Sequence, residues 1–487
     1  MKTSSIFTAV PLAALLLSLT ACQQQPPQPQ QAKYVFYFIT DGTGINTVLG
    51  TEQMLAELQG RWGRDTLCMT SFPVVGVSST YSYNSGITDS AASGTALATG
   101  TKTYNGAIGV GPDTTAVYSI AYQAHQLGIP TGVATSVCVN HATPASYYAH
   151  SKHRSRYYEI GKQLPTTGFD FFGGSDFNLE RQYRTAECRD TLYQLCADSG
   201  YVITRSYEEY AAKAEEADRM ILFQDLDRTL NVDAGSLPYA IDAQPGQVCV
   251  YDVLKAEIDF LYRKSEKLGG RGFFIMNEIG GKVDYACHVN DGATAFREVQ
   301  LVDSCMRLAY EFYLQHPDET LILLTADHET GGLTLGVNHG GYDANFGLLA
   351  HQKCSLDAIT RHFQQLRAET RNHVSWEQVK EQLRQDLGFW EAVEITGQEE
   401  AELKALYAKS FVGKMPNEEN LYSENEPMAA QAVRMINAKA HLGWTTGGHT
   451  AGLVPVYACG VGADQFTCHN DNTDFAVKIA RIAGYVK

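Results

Sequence analysis

Asp284 and His288 stand four residues apart in VDYACH, so on one helical turn their side chains face the same way and can grip one ion. Asp327 and His328 are adjacent in TADH, just after an apolar run, where neighbouring side chains diverge toward two ions or two sides of one. His449, in the glycine-rich TTGGHTAG, supplies a third imidazole. Ser90 follows Asp89 in ITDSAASGTALATG and opens a run of small residues. That run predicts a helix over 91–99, with Thr88 or Asp89 near its N-cap and Gly100 just past its end. A hydroxyl in the first turn meets the positive end of the helix dipole, which favours an alkoxide or a bound anion. Three His, three Asp (Asp41, Asp284, Asp327) and Ser90 together fit a two-metal hydrolase site. Two divalent ions can hold the attacking and leaving oxygens of an in-line phosphoryl displacement, one activating Ser90 and the other steadying the leaving group and later activating water. An arginine must then clamp the remaining oxygens with its bidentate fork.

Short apolar runs of buried-strand type recur at 34–39, 131–137, 272–276, 320–326 and 454–460, with helix-like segments between several of them, notably Ala293–Gln315. This alternation predicts an α/β fold with a mostly parallel central sheet flanked by helices, in which ligands collect at the carboxyl ends of strands. Polar residues of metal-ligand type follow four of the runs: Asp41 in DGTG, the segment NHATP, Glu278, and Asp327 with His328. From about 340 to 440 the texture becomes charged and amphipathic, and Ser375 with Gln378 and Thr396 with Glu399 have capping-box spacing. That stretch reads as a helical insertion over or beside the sheet, with a surface role.

With 487 residues, 44% hydrophobic content and 43 Gly, the chain can bury a large core. A net charge of -16 excludes a nucleic-acid-binding surface and repels anions at long range, so an anion site must carry its own positive charge. Residues 1–21 read as a signal peptide whose apolar run, about Ile6 to Leu19, is short for a membrane span. Leu19-Thr20-Ala21-Cys22 resembles the lipobox of bacterial lipoproteins, which implies cleavage before Cys22 and a lipid anchor on it. The Gln/Pro-rich stretch through residue 33 then suits a tether to a domain spanning 34–487. The predicted location is the cell envelope, periplasmic or at the cell surface. Of the ten later cysteines, Cys188 with Cys196 and Cys459 with Cys468 are close enough in sequence to suggest local disulfides.

The segments TDSAAS through TGTKTYNGAIGV, TADH and TGGHT resemble the nucleophile segment, the late zinc-binding strand and the last zinc histidine of the alkaline phosphatases. Position by position, the resemblance implies one zinc held by Asp284, His288 and His449 and a second held by Asp41, Asp327 and His328 with Ser90 bound as nucleophile. It implies a third ion, usually magnesium, held by Asp41, Thr143 and Glu278. Arg154, in HATPASYYAHSKHR, stands at the family's phosphate-binding arginine, with Asp89 as the neighbour that helps position it. The implied activity is hydrolysis of small phosphomonoesters through a phosphoserine intermediate, and the family admits a homodimer. A related phosphodiesterase and a non-catalytic metal- or phosphate-binding lipoprotein are the alternatives. Two departures stand out. His141 occupies a position beside the third ion where some bacterial members have Asp. The spacing from Glu278 to Asp284 is one residue longer than the family's, which predicts either a bulge after Glu278 or Ile279 in its place.

Overall fold

Eight strands are laid down in chain order as β1 (Tyr34–Ile39), β2 (Val74–Ser79), β3 (Thr131–Thr135), β4 (Phe171–Gly174), β5 (Tyr201–Thr204), β6 (Arg219–Phe223), β7 (Phe273–Glu278) and β8 (Thr320–Thr325). With Val454–Gly460 and Cys468–Asp471 they form a ten-stranded sheet in the order 468–471, β2, 454–460, β8, β1, β7, β3, β4, β6, β5. Pairing is parallel throughout except where 454–460 runs antiparallel to both β2 and β8. The computed structural model describes residues 31–225, 235–413 and 415–485. The signal peptide, Cys22 and nearly all of the tether therefore lie outside the described residues.

The apolar run of β1 is continuous because both faces of the sheet are covered. Tyr34, Phe36 and Phe38 enter one apolar layer, and Val35, Tyr37 and Ile39 the other. The first layer is completed by helices Val250–Lys267, Gly281–His288 and Gly292–Gln315, the second by Ser90–Thr99, Ile120–Gln126 and Asp474–Ile482. Both predicted capping boxes form, at Ser375 with Gln378 and at Thr396 with Glu399. Between 340 and 440, helices Leu356–Glu369, Trp376–Leu387 and Pro427–Lys439 share an apolar cluster of their own, built on Ile359, Phe363, Leu383, Met428 and Ile436. No helix among the described residues is long and apolar enough to cross a membrane.

Three expectations need correction. All ten cysteines among the described residues are free thiols. Cys188 and Cys196 lie on one helix, Ala186–Asp198, eight residues apart and so about 12 Å along its axis. Cys459 and Cys468 lie on strands separated by β2, about two strand spacings or ~9.5 Å apart. Neither pair can close a bridge, which needs Cα atoms within about 7 Å. The predicted strand 131–137 ends at Thr135, where the Val137 amide turns back to Thr135 Oγ1 at 3.0 Å. Conversely, β7 extends past 276, so Glu278 is its last residue rather than its successor.

Candidate active site

The helix carrying Ser90 begins one residue earlier than its apolar pattern suggests, at Ser90 itself, and ends at Thr99 with Gly100 in the left-handed region at φ 73°. Asp89 is the N-cap, its Oδ1 accepting from the Ala92 amide at 3.0 Å. Every residue from Ser90 to Ala98 is buried. The small side chains let this helix approach the turn Ala142–Ala145, and a Cβ on Gly94 would lie 2.9 Å from Ser146 Oγ and 3.3 Å from Thr143 Cα.

Asp41, Glu278 and Asp327 stand at the carboxyl ends of β1, β7 and β8, and His141 and Thr143 follow β3. All are buried. Ile279 and Gly280, between Glu278 and Asp284, form a turn outside the strand. Glu278 keeps its place facing Asp41 and His141, while Ile279 packs in the apolar layer. Asp284 and His288 share the helix Gly281–His288, as their spacing predicts.

Hydrogen bonding fixes the tautomers of the neutral imidazoles. His288 donates from Nδ1 to the Gly447 carbonyl at 2.7 Å, and His449 from Nδ1 to the Thr88 carbonyl at 2.8 Å. Their Nε2 lone pairs then face each other at 3.3 Å, with Asp284 Oδ2 3.2 Å from His288 Nε2. For His328 the argument runs through Thr330. Its hydroxyl donates to Asp284 Oδ1 at 2.5 Å, so it can only accept from His328 Nδ1 at 3.2 Å. His328 Nε2 is thereby aimed at Ser90 Oγ (3.1 Å), Asp41 Oδ1 (3.2 Å) and Asp327 Oδ2 (3.4 Å).

Opposed lone pairs and carboxylates repel unless a cation lies between them. Among the buried atoms left without hydrogen-bond partners are six that such cations could take: both oxygens of Asp41, Asp284 Oδ2, Asp327 Oδ2, Glu278 Oε1 and Thr143 Oγ1. Three overlapping groups around Ser90 bring their donor atoms close enough to hold an ion, Asp284/His288/His449, Asp41/Asp284/His328 and Asp41/His141/Glu278, and Asp327 Oδ2 lies beside the second, 3.4 Å from His328 Nε2. Burial, then the charge of neighbouring carboxylates, pushes Asp327 up to about 7 and holds Asp41 well above the usual carboxylate range. Glu278 is also pushed up to about 7, by burial first and by Asp327, against the hydrogen bond from Thr135. Burial holds His328 and His449 down in the neutral, ligating form, and His141 down to about 3. For His288 burial is outweighed by Asp284, which raises it, and the field that favours a proton there also favours a metal cation.

Among the described residues one positive side chain, Arg154, is hydrogen-bonded into this cluster. Arg154 Nη1 donates to Asp89 Oδ2 at 3.2 Å and lies 3.5 Å from Ser90 Oγ, and Nη2 donates to His141 Nε2 at 3.1 Å. Its backbone amide is held by the Gly106 carbonyl at 2.7 Å. Ile108 and Ser151 exchange two backbone hydrogen bonds alongside, and a Cβ on Gly109 would sit 2.1 Å from the Ala149 carbonyl oxygen. The segment TYNGAIGV therefore serves as the rail that sets Arg154.

Sequence reasoning missed Tyr422. It comes from the charged stretch expected to have a surface role, yet its hydroxyl accepts from Arg154 Nη2 at 3.4 Å and its ring stacks on Tyr285 at 4.0 Å. Nothing in LYSEN marks it beforehand, because an aromatic in a polar turn has no spacing signature.

Fold and cluster together define a class: an α/β protein with several cation pockets around a serine hydroxyl at the carboxyl ends of parallel strands. The family profile described as alkaline phosphatase matches residues 32–174 and 230–485, and the chain belongs to that family. It is 30% identical over 411 residues to alkaline phosphatase 4 of Bacillus subtilis, covering 81% of this chain and 76% of the relative. It is 26% identical over 458 residues to the repressible alkaline phosphatase of Saccharomyces cerevisiae, covering 88% and 75%. Among solved structures, a cold-active alkaline phosphatase from a psychrophilic Shewanella superposes with TM-score 0.75 at 27% identity, covering 93% of this chain and 100% of that one. The alkaline phosphatase of Thermus thermophilus shares the fold at TM-score 0.73 and 24% identity, covering 98% and 96%.

Proposed function

We propose that this chain is a metal-dependent alkaline phosphatase that hydrolyses phosphate monoesters to an alcohol and inorganic phosphate through a phosphoserine at Ser90. The observation that carries this reading is the convergence of three imidazole Nε2 atoms and the unpartnered buried carboxylate oxygens around Ser90 Oγ, with Arg154 3.5 Å away. In the proposed assignment Asp284, His288 and His449 hold one zinc. Asp41, Asp327 and His328 hold a second, beside Ser90. Asp41, Thr143 and Glu278 hold a magnesium, with His141 next to it. An all-oxygen donor set suits a hard cation, and the imidazole-rich sets suit zinc. When bound, the ions supply Lewis acidity that favours the serine alkoxide, the leaving oxygen and a hydroxide at moderate pH.

The chain's own residues perform the rest. The helix N-terminus places Ser90 Oγ in line with the phosphorus, with its dipole favouring the alkoxide. Arg154 binds the non-bridging oxygens and compensates locally for the -16 net charge. Asp89 holds the guanidinium and the helix cap at once. Ser90 Oγ bonds to phosphorus as the ester oxygen leaves with the alcohol. Water then attacks the phosphoseryl phosphorus, releasing inorganic phosphate and restoring the hydroxyl. Because Arg154 addresses a terminal phosphoryl group, monoesters are preferred over diesters.

The proposal extends to the segment before the domain: export under the signal peptide 1–21, a lipid anchor on Cys22 and residues to 33 as the tether, supported by the lipobox-like sequence. The helical stretch at about 340–440 is proposed as an insertion within the phosphatase domain of residues 34–487. Trapping of acid-stable phosphoserine on a peptide containing Ser90 tests the mechanism. Its appearance with a monoester supports the assignment, and turnover without it would rule the covalent route out.

A further inference from the structure

Of the three side chains that hold Arg154, sequence reasoning reached Asp89 as its neighbour and His141 only as a residue beside the third ion, and it did not reach Tyr422. Tyr422 lies in the turn of a short hairpin whose strands, Glu418–Glu419 and Glu424–Asn425, pair antiparallel. The turn is internally braced: the Asn420 amide donates to the Ser423 carbonyl at 2.8 Å, and the Asn420 and Ser423 side chains both donate to Asn425 Oδ1 at 2.9 and 3.0 Å. The hairpin is tied to its surroundings by Asn425 Nδ2 donating to Asp357 at 2.9 Å and by Arg434 gripping both oxygens of Glu418 at 2.9 Å. At its tip the Tyr422 ring lies parallel to that of Tyr285, at 4.0 Å and 15°, and edge-on to His288 and His141 at 5.2 and 6.0 Å. Tyr285 stands next to Asp284 on the helix Gly281–His288.

From this geometry we infer that Tyr422 is a positioning residue for Arg154, and that delivering it is a task of the helical stretch at about 340–440. The inference rests on the proposed role of Arg154. A guanidinium has five N–H donors. Both of those on Nη2 are engaged, by His141 and by the Tyr422 hydroxyl, and one on Nη1 is engaged by Asp89. The remaining Nη1 hydrogen faces Ser90 and the phosphoryl group it would carry. A long side chain held in this orientation before the ligand arrives loses less rotamer entropy on binding, so preorganisation appears as phosphate affinity. Asp89 and His141 hold the guanidinium from two sides, Tyr422 from a third. The rigid stack on Tyr285 is what fixes the Tyr422 hydroxyl in place.

The test is Tyr422→Phe in the full, metal-replete chain, since Phe keeps the stack and removes only the hydroxyl. The inhibition constant for inorganic phosphate and the KM for p-nitrophenyl phosphate should rise together by about fivefold, the size expected for one ordinary hydrogen bond. kcat, zinc content and Tm should stay unchanged. In an Arg154→Ala background the same substitution should leave phosphate inhibition unaltered, because the residue to be positioned is gone. An unchanged phosphate constant in Tyr422→Phe overturns the inference, as does an equal effect with and without Arg154, which would mean that Tyr422 acts on the ligand directly. Loss of zinc or of Tm in step with the affinity would show a structural role instead and overturn it too. An unmutated chain that neither turns over the ester nor binds phosphate would overturn the function reading, and this inference with it.

Discussion

Replacing Arg154 with Ala removes the one positive side chain that, among the described residues, faces the cluster, and the structure sets the size of the effect. The guanidinium is mostly buried, with 17% of its side chain exposed, and its Nη1 lies 3.5 Å from Ser90 Oγ. A hydrogen bond to a charged group contributes about 1.5–3 kcal/mol, and the one Nη1 hydrogen that Asp89, His141 and Tyr422 leave free makes one such bond to a dianionic phosphoryl group. Water can enter the vacated space from the exposed side, which favours the lower half of that range, about 2 kcal/mol or roughly thirtyfold in kcat/KM. A diester presents one ionised oxygen fewer to the same fork, so its loss should be closer to tenfold. Arg154→Lys should fall between, since a point charge replaces attraction but not the orientation that Asp89, His141 and Tyr422 give the planar fork. The assay is kcat/KM for p-nitrophenyl phosphate against bis-p-nitrophenyl phosphate, with zinc measured on the same samples. Asp89 keeps its hold on the Ala92 amide without Arg154, so the helix cap and the zinc content should survive. Equal losses on monoester and diester, or loss of zinc in the Ala variant, would refute this reasoning.

Ser90→Ala should abolish phosphoenzyme and nearly all turnover while retaining bound zinc, checked by rapid acid quench and elemental analysis; near-normal turnover would remove Ser90 from the mechanism. Glu278 and Asp327, held near 7 by burial and neighbouring charge, must lose their protons to accept a cation. Apparent metal affinity of the stripped protein should therefore rise with pH through about 7 and level off above it, with proton release on binding greater at pH 6 than at pH 8.5, read by calorimetry in buffers of different ionisation enthalpy. Gly109→Ala puts a Cβ 2.1 Å from the Ala149 carbonyl oxygen at a φ of +58°. It should cost at least about 2 kcal/mol in denaturant unfolding and weaken phosphate inhibition by displacing the segment that leads into the Arg154 turn.

The chemistry was legible because it depends on residue types that are costly to bury and that recur at strand ends. Asp41, Glu278, and Asp327 with His328 each close an apolar run, and their convergence follows once the runs are parallel neighbours in one sheet. The Asp284 and His288 pairing needed only helical periodicity. The order of strands was not legible, and with it went the disulfides: Cys459 and Cys468 are close in sequence, but β2 is threaded between their strands. The spacing from Glu278 to Asp284 left a bulge or Ile279 open at the strand end; the structure keeps Glu278 in register with Thr135 and turns at Ile279–Gly280, because a turn takes up length without changing the strand register. Tyr422 was invisible for the opposite reason to the clustered carboxylates and imidazoles. Its contribution comes from where a polar hairpin is anchored, and no local pattern encodes an anchor 268 residues from the arginine it touches.

The central claim is that the carboxylates and imidazoles around Ser90 form a metal-dependent phosphomonoesterase site. Its most direct test is hydrolysis of p-nitrophenyl phosphate by the purified domain at alkaline pH, with metal content determined before EDTA treatment, after it, and after repletion with zinc and magnesium. The account predicts that activity disappears with the metals and returns as about two zinc ions rebind per chain, magnesium adding to it. Full activity persisting in protein shown to be free of metal would contradict it.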